Sequence, residues 1–93
     1  MPRPKARRAV RFEPRVTYFK PSGVPLRFLE TVDLTLEEAE SLRLRHLEDM
    51  DQIDAAARMR TSQSTYHRIL RSAYEKLADA VIRGKAIRIL QKL

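Results

Sequence analysis

From Thr35 onward the apolar positions recur at helical spacing, and upstream of it they do not. In TLEEAESLRLRHL, Leu36, Ala39, Leu42 and Leu47 can share one face. Thr35 with Glu38 makes a capping box: the threonine caps the backbone and the glutamate reaches back. Glu37, Glu38 and Glu40 fill the first turns, where the helix dipole favours negative charge, and Arg43 and Arg45 follow. This predicts a helix over about 36–48. A second helix, over about 51–59 (DQIDAAARM), would bury Ile53, Ala56 and Ala57 or Met59. A third would start at Ser62 as cap and end near Ile82, with Tyr66, Ile69, Leu70, Ala73, Leu77, Ala78 and Val81 at helical spacing. Gly84 is a natural stop.

Upstream the pattern is that of arms, strands and turns. MPRPKARRA, residues 1–9, reads as a flexible arm, because Pro2 and Pro4 disfavour helix and bases crowd it. VRFEPRVTYFK is rich in Val, Phe and Tyr and predicts one or two short strands interrupted at Pro14. KPSGVP must turn. LRFLETVDL suits a short strand or irregular chain, and the tail KAIRILQKL either pairs with the N-terminal strands or continues as helix. The expected fold is mainly α: a tri-helical helix-turn-helix core with a short β-rich N-terminal extension. Residues 1–34 would form the arm and extended segment, and residues 35–93 the helical domain.

Composition narrows the chemistry. The 93 residues suffice for one small domain. No stretch approaches the ~18 uninterrupted apolar residues of a membrane span, and the basic N-terminus lacks the apolar core of a signal peptide. Without cysteine there is no disulfide or thiolate metal site, which fits a reducing cytoplasm. The net charge is +7 and it is unevenly spread. Residues 1–20 carry net +6, residues 31–57 net −6 and residues 58–93 net +7. Two basic blocks around an acidic one imply a polarised surface, of the kind that meets nucleic acid.

The stretch AARMRTSQSTYHRIL carries the sharper expectation. A helix-turn-helix needs a small residue where its helices cross, here Ala56, and a plug beneath the turn, here Met59. Tyr66 and Ile69 would anchor the third helix from below. Gln63, Ser64, His67, Arg68 and Arg71 would face bases; glutamine can pair with adenine and arginine with guanine. Arg58, Arg60, Thr61, Ser62 and Lys76 are candidate phosphate contacts, helped by the free amides of a helix start. Arg3, Lys5, Arg7 and Arg8 could track the backbone or enter a minor groove. An αα-hairpin with a solvated polar face is the plain alternative. Arg60 is the awkward residue, since such a turn often needs a left-handed residue, which costs a non-glycine on the order of 1 kcal/mol.

The runs VTYFKPSGVPLRFLE (Val16 to Glu30), LTLEEAESLRL and QIDAAARMRTSQSTYHRIL, with the opening MPRPK and the closing GKAIRI, resemble an uncharacterised family of small prokaryotic DNA-binding proteins. The helical half is similar to the helix-turn-helix of region four in bacterial sigma factors. The resemblance implies a winged or tri-helical DNA-binding core with Gln63, Ser64, His67 and Arg68 at the reading positions. This chain departs from it in two ways: Arg60 stands where relatives commonly have glycine, and the cysteines of some relatives are missing. TYFKPSGVPL would be a fixed turn carrying Tyr18 and Phe19 into a core or a dimer contact.

No catalysis, metal or cofactor is expected. His46 and His67 are 21 residues apart without cysteine or acidic partners at ligand spacing, and Ser62 and Ser64 have no evident base. The expected role is sequence-specific binding of double-stranded DNA by a cytoplasmic, nucleoid-associated homodimer that regulates transcription. The competing role is a sigma-like interaction module that binds RNA polymerase or another regulator. In that reading the acidic Glu48, Asp49, Asp51 and Asp54 meet a basic partner, DNA is held only non-specifically, and the Leu70, Leu77 and Val81 stripe could serve a dimer. RNA is less favoured, for want of an exposed aromatic platform.

Overall fold

The computed structural model describes residues 8–91. Three helices follow one another through the middle of the chain. The first, α1 (Leu36–Leu42), starts on the capping box: the Thr35 side chain accepts from the Glu38 amide, and Glu38 accepts from the Thr35 amide. It runs on through a wider, π-helical turn, Arg43–Leu47, and stops at Asp49, whose φ is 54°. Then come α2 (Gln52–Arg58), capped by Asp51, and α3 (Gln63–Arg83), capped by Ser62. Gly84, at φ 67°, ends α3 in the left-handed region, as a C-terminal glycine does.

The rest builds a three-stranded sheet of β1 (Tyr18–Phe19), β2 (Thr31–Leu34) and β3 (Ala86–Ile89), in the order β1-β3-β2. β3 pairs antiparallel with β1 (Phe19 opposite Ile87) and parallel with β2 (Thr31 opposite Ala86, Leu34 opposite Ile89). The helices thus form the crossover between the parallel strands β2 and β3. The central strand of the sheet comes from the C-terminal end, so of the two expectations for the tail it is pairing with the upstream strands that the structure shows. The fold is mainly α with a small sheet drawn from both ends. Of the run VRFEPRVTYFK only Tyr18–Phe19 is strand. The KPSGVP segment does turn, with Gly23 at φ 79° and the Lys20 ammonium donating to the carbonyls of Pro21 and Val24. It does not carry Tyr18 and Phe19 into the core, since both rings are exposed.

Two adjoining clusters make the interior. One holds Leu44, Ala55, Ala56, Met59, Tyr66 and Leu70, between the three helices. The other holds Leu34, Leu36, Ala39, Ala73 and Ile89, between the helices and the sheet. Val10 packs against both. Several expected core residues lie outside, Ala78 and Val81 of α3 among them. Leu47 is 78% exposed, because the wider turn breaks the 3.6-residue phase and hands the buried position to Leu44. Ile53 is 60% exposed; at 100° per residue it points roughly 115° away from the stripe of Ala55, Ala56 and Met59. Ala57 is exposed for the same reason.

Polar groups also enter the interior. Glu40 is wholly buried and Glu38 nearly so. Glu40 accepts two bonds from the Arg43 guanidinium, at 2.6 and 3.0 Å, and one from the Arg11 amide at 2.9 Å. Burial alone would raise the Glu40 carboxyl, but Arg43 and the backbone amides of Arg11 and Phe12 outweigh it and hold it below its ordinary value. For Glu38 burial is outweighed by Lys76, Ser72 and the Thr35 amide, with the same outcome. Tyr66 is buried whole, its hydroxyl donating to the Ser41 carbonyl at 2.8 Å, and burial pushes its pKa up to about 12.

Candidate nucleic-acid interface

The feature that organises this surface is the link between α2 and α3. The Thr61 amide bonds the Ala56 carbonyl and the Arg60 amide bonds the Ala57 carbonyl, both at 3.0 Å. With Arg60 at φ 56°, this is a Schellman motif, and Arg60 occupies the place that glycine usually takes. The expected left-handed residue is therefore present and is an arginine. Beneath it, Ala56 and Met59 are buried, with Tyr66 from α3 in the same cluster. The small Ala56 lets the helices approach, and Met59 fills the space under the turn.

Ser62 opens α3. Its hydroxyl accepts from the Thr65 amide at 3.1 Å and lies 2.9 Å from the Thr65 hydroxyl. The next amides, at the start of the helix, have no carbonyl partner within it, which is the usual condition of a first turn. Gln63, Ser64, His67, Arg68 and Arg71 are all exposed. At 100° per residue they fall within an arc of roughly 140°, centred about 120° from the mean direction of Tyr66, Leu70 and Ala73. Arg68 makes one long bond to the Thr65 hydroxyl, at 3.3 Å. Arg71 lies 3.7 Å from Glu75, with both side chains largely exposed, a pairing worth at most about 0.5 kcal/mol. Arg58 and Arg60 are exposed beside the turn, and Thr61 is half-buried.

Two expected contacts are placed differently. Lys76 donates to the Asp33 carbonyl and to Glu38, both at 2.8 Å, and stands about 20 Å along α3 from Gln63. Its charge serves the buried carboxylate, so it leaves the candidate set. Arg8 is not a free arm residue: its guanidinium pairs with Glu37 at 2.8 Å. The Ala9 amide bonds the Met59 carbonyl at 3.1 Å, so the N-terminal segment is docked on the α2–α3 link from there on. Arg3, Lys5 and Arg7 lie outside the described residues.

The two histidines serve different places. His46 meets the Tyr74 hydroxyl on the outer face of α3, whereas His67 is solvent-exposed near its start. Among the described residues no group of three or more histidines and carboxylates could hold a metal ion, and no helix is long and apolar enough to cross a membrane. Sequence reasoning missed Arg11, which the docked N-terminal segment brings beside Arg58 and Arg60. The basic run 3–11 was its only signal, and a run does not say where it lands.

Comparison with known proteins places these residues in a family. The model of a protein family of unknown function, DUF134, matches residues 1–92. A UPF0251 protein of Caldanaerobacter subterraneus is 54% identical over 89 residues, which are 96% of this chain and 75% of that protein. A UPF0251 protein of Moorella thermoacetica is 56% identical over 89 residues, covering 96% of this chain and 60% of that protein. One of Thermoanaerobacter pseudethanolicus is 52% identical, covering 96% and 75%. No solved structure matches.

Proposed function

The chain belongs to the DUF134 family of unknown function, and from its geometry we propose that it is a sequence-specific DNA-binding protein whose α3 enters the major groove. The observation that carries the reading is the start of α3. Gln63, Ser64, His67, Arg68 and Arg71 stand exposed on one arc, on a helix anchored through the buried Tyr66 and Leu70. Base reading needs donors and acceptors held rigidly at the end of an element that fits the groove. The link residues Arg58, Arg60, Thr61 and Ser62 would hold the flanking phosphates. In this reading the α2–α3 pair is a helix-turn-helix similar to that of sigma region four, and transcription regulation is its role.

A single short reading helix covers few base pairs, so the proposal includes a homodimer on a two-fold symmetric site. α3, about 32 Å long, separates the two tasks. Its start would read DNA. Its far end leaves Val81 at 72% and Ile82 at 82% exposure, near the exposed Phe19, where a second copy would pack. Leu70 takes no part, since it is core.

The second reading, a module that binds RNA polymerase, draws support from Glu48, Asp49, Asp51 and Asp54, all exposed around the α1–α2 loop. The two separate with Gln63→Ala and Arg68→Ala on a preferred duplex and a scrambled one. Base reading predicts a loss of about 1–3 kcal/mol per variant on the preferred duplex and much less on the scrambled one. Equal affinity of the unaltered protein for both duplexes, together with retention of polymerase, favours the interaction module.

A further inference from the structure

Five bases among the described residues are neutralised at short range. Arg8, Arg43, Lys76, Lys85 and Arg88 each hold a carboxylate at 2.6–2.9 Å. Three bases without such a partner come together beside the α2–α3 link. There a surface depression of about 500 Å³ is bordered by Arg11, Arg58, Arg60 and Asp54, over Met50 and Ala57. Three arginines and one aspartate border it. Among the described residues, none of the three side chains makes an ion pair or a hydrogen bond.

The three come from separate places and each is held by its backbone. Arg58 ends α2. Arg60 is fixed by the Schellman bonds at a positive φ, a conformation that a β-carbon disfavours and that glycine would adopt freely. Arg11 is brought in by two anchors of the N-terminal segment, the Ala9 amide on the Met59 carbonyl and the Arg11 amide on buried Glu40. Collecting like charge at an open surface is unfavourable unless a counter-charge arrives. A planar guanidinium fork matches the oxygens of a phosphate, and several forks around one depression suit a single tetrahedral anion.

We propose that Arg11, Arg58 and Arg60 form a composite cradle for one phosphate of the DNA backbone, next to the groove that α3 enters. The docked N-terminal segment completes the cradle. The inference rests on the DNA-binding reading above and adds to it a phosphate site that fixes the register of α3 on the duplex. Such contacts position the protein without reading sequence. They also explain why an arginine is tolerated at the left-handed position of the link, since strain of this kind persists at binding sites.

The test is a salt series of duplex binding by fluorescence anisotropy, on a preferred and a scrambled duplex. The proteins are the unaltered chain, Arg11→Ala, Arg58→Ala and, as a remote control, Arg83→Ala. Thermal melts confirm that each is folded; the Arg11 side chain is exposed and its anchor is a backbone amide. The cradle predicts that Arg11→Ala and Arg58→Ala each flatten the slope of log K against log salt, by at most about 0.9 for the one phosphate they share. Both should weaken the two duplexes by the same factor, while Arg83→Ala changes neither slope nor affinity. Duplex binding with an unaltered slope in Arg11→Ala overturns the cradle and leaves reading by α3 standing. A loss confined to the preferred duplex makes Arg11 a base contact and also overturns it. Failure of the unaltered protein to bind any duplex removes both proposals.

Discussion

Glu40→Gln tests how the N-terminal segment is tied to the helices. The side chain keeps its shape and one acceptor but loses its charge, in a place with no access to water. Arg43 then lacks its main partner, and the Arg11 amide faces a weaker acceptor or none. Breaking a buried ion pair from one side costs about 3–5 kcal/mol. Arg43 is 22% exposed and retains Glu48 at 3.7 Å, which lowers the expectation to about 2–3 kcal/mol. Against a total of about 5–14 kcal/mol for a domain of this size, that is a large fraction. At about 4–8 °C per kcal/mol, the melting temperature at pH 7 should fall by roughly 10–20 °C.

The pH dependence supplies an independent sign. The Glu40 carboxyl is held below its ordinary 4.5 in the folded chain. A carboxyl depressed on folding adds stability above its unfolded value, and that stability is lost as pH falls through the folded value. The unaltered protein should therefore weaken below about pH 4.5, with Glu38 acting in the same direction. Glu40→Gln has one such group fewer, so its deficit should shrink as the solution is acidified. Circular-dichroism melts from pH 3 to 7 measure both effects. A drop of under about 2 °C at pH 7, or a deficit that stays constant into acid, refutes the reasoning.

Other variants probe single features. Tyr66→Phe removes the hydroxyl that bonds the Ser41 carbonyl and leaves that carbonyl buried without it; denaturant unfolding should show a loss of about 1–2 kcal/mol. Arg60→Gly relieves the positive φ and should stabilise the fold by on the order of 1 kcal/mol while weakening duplex binding. Stabilisation with unchanged affinity would remove Arg60 from the interface. Gly84→Ala meets open space but keeps φ 67°, so melts should show a loss of about 1 kcal/mol from the backbone alone; no loss would mean the helix end relaxes. Val81→Glu with Ile82→Glu places charge on the exposed end of α3 and should turn a dimer into a monomer by light scattering; a monomeric starting protein would end the dimer proposal.

The helices were legible because their signals are local. Thr35 with Glu38, Ser62 and Gly84 mark termini within one turn of chain, and the boundaries at 36, 63 and 83 follow from them. Ala56, Met59 and Tyr66 were legible as core because a helix-turn-helix needs a small residue at its crossing, a plug under its turn and an anchor on its second helix. The sheet was legible only as one of two alternatives for the tail, because β3 owes its strand state to partners some 55 and 68 residues away (Asp33 and Phe19 opposite Arg88 and Ile87). The acids of α1 misled in the same way. Near a helix start they fit the dipole, and only the distant Arg11 and Lys76 reveal that Glu40 and Glu38 can be buried. At the candidate interface the exposed arc of α3 could be read from periodicity. The cradle could not, because it depends on where the N-terminal segment docks.

The central claim is that α3 reads base sequence, and selection of bound duplexes from a random pool at a stated salt concentration tests it most directly. The account predicts an enriched palindrome whose half-sites lose preference when Gln63 or Arg68 is replaced by alanine. A recovered pool no different from the starting one, under conditions where the protein is folded, would contradict it.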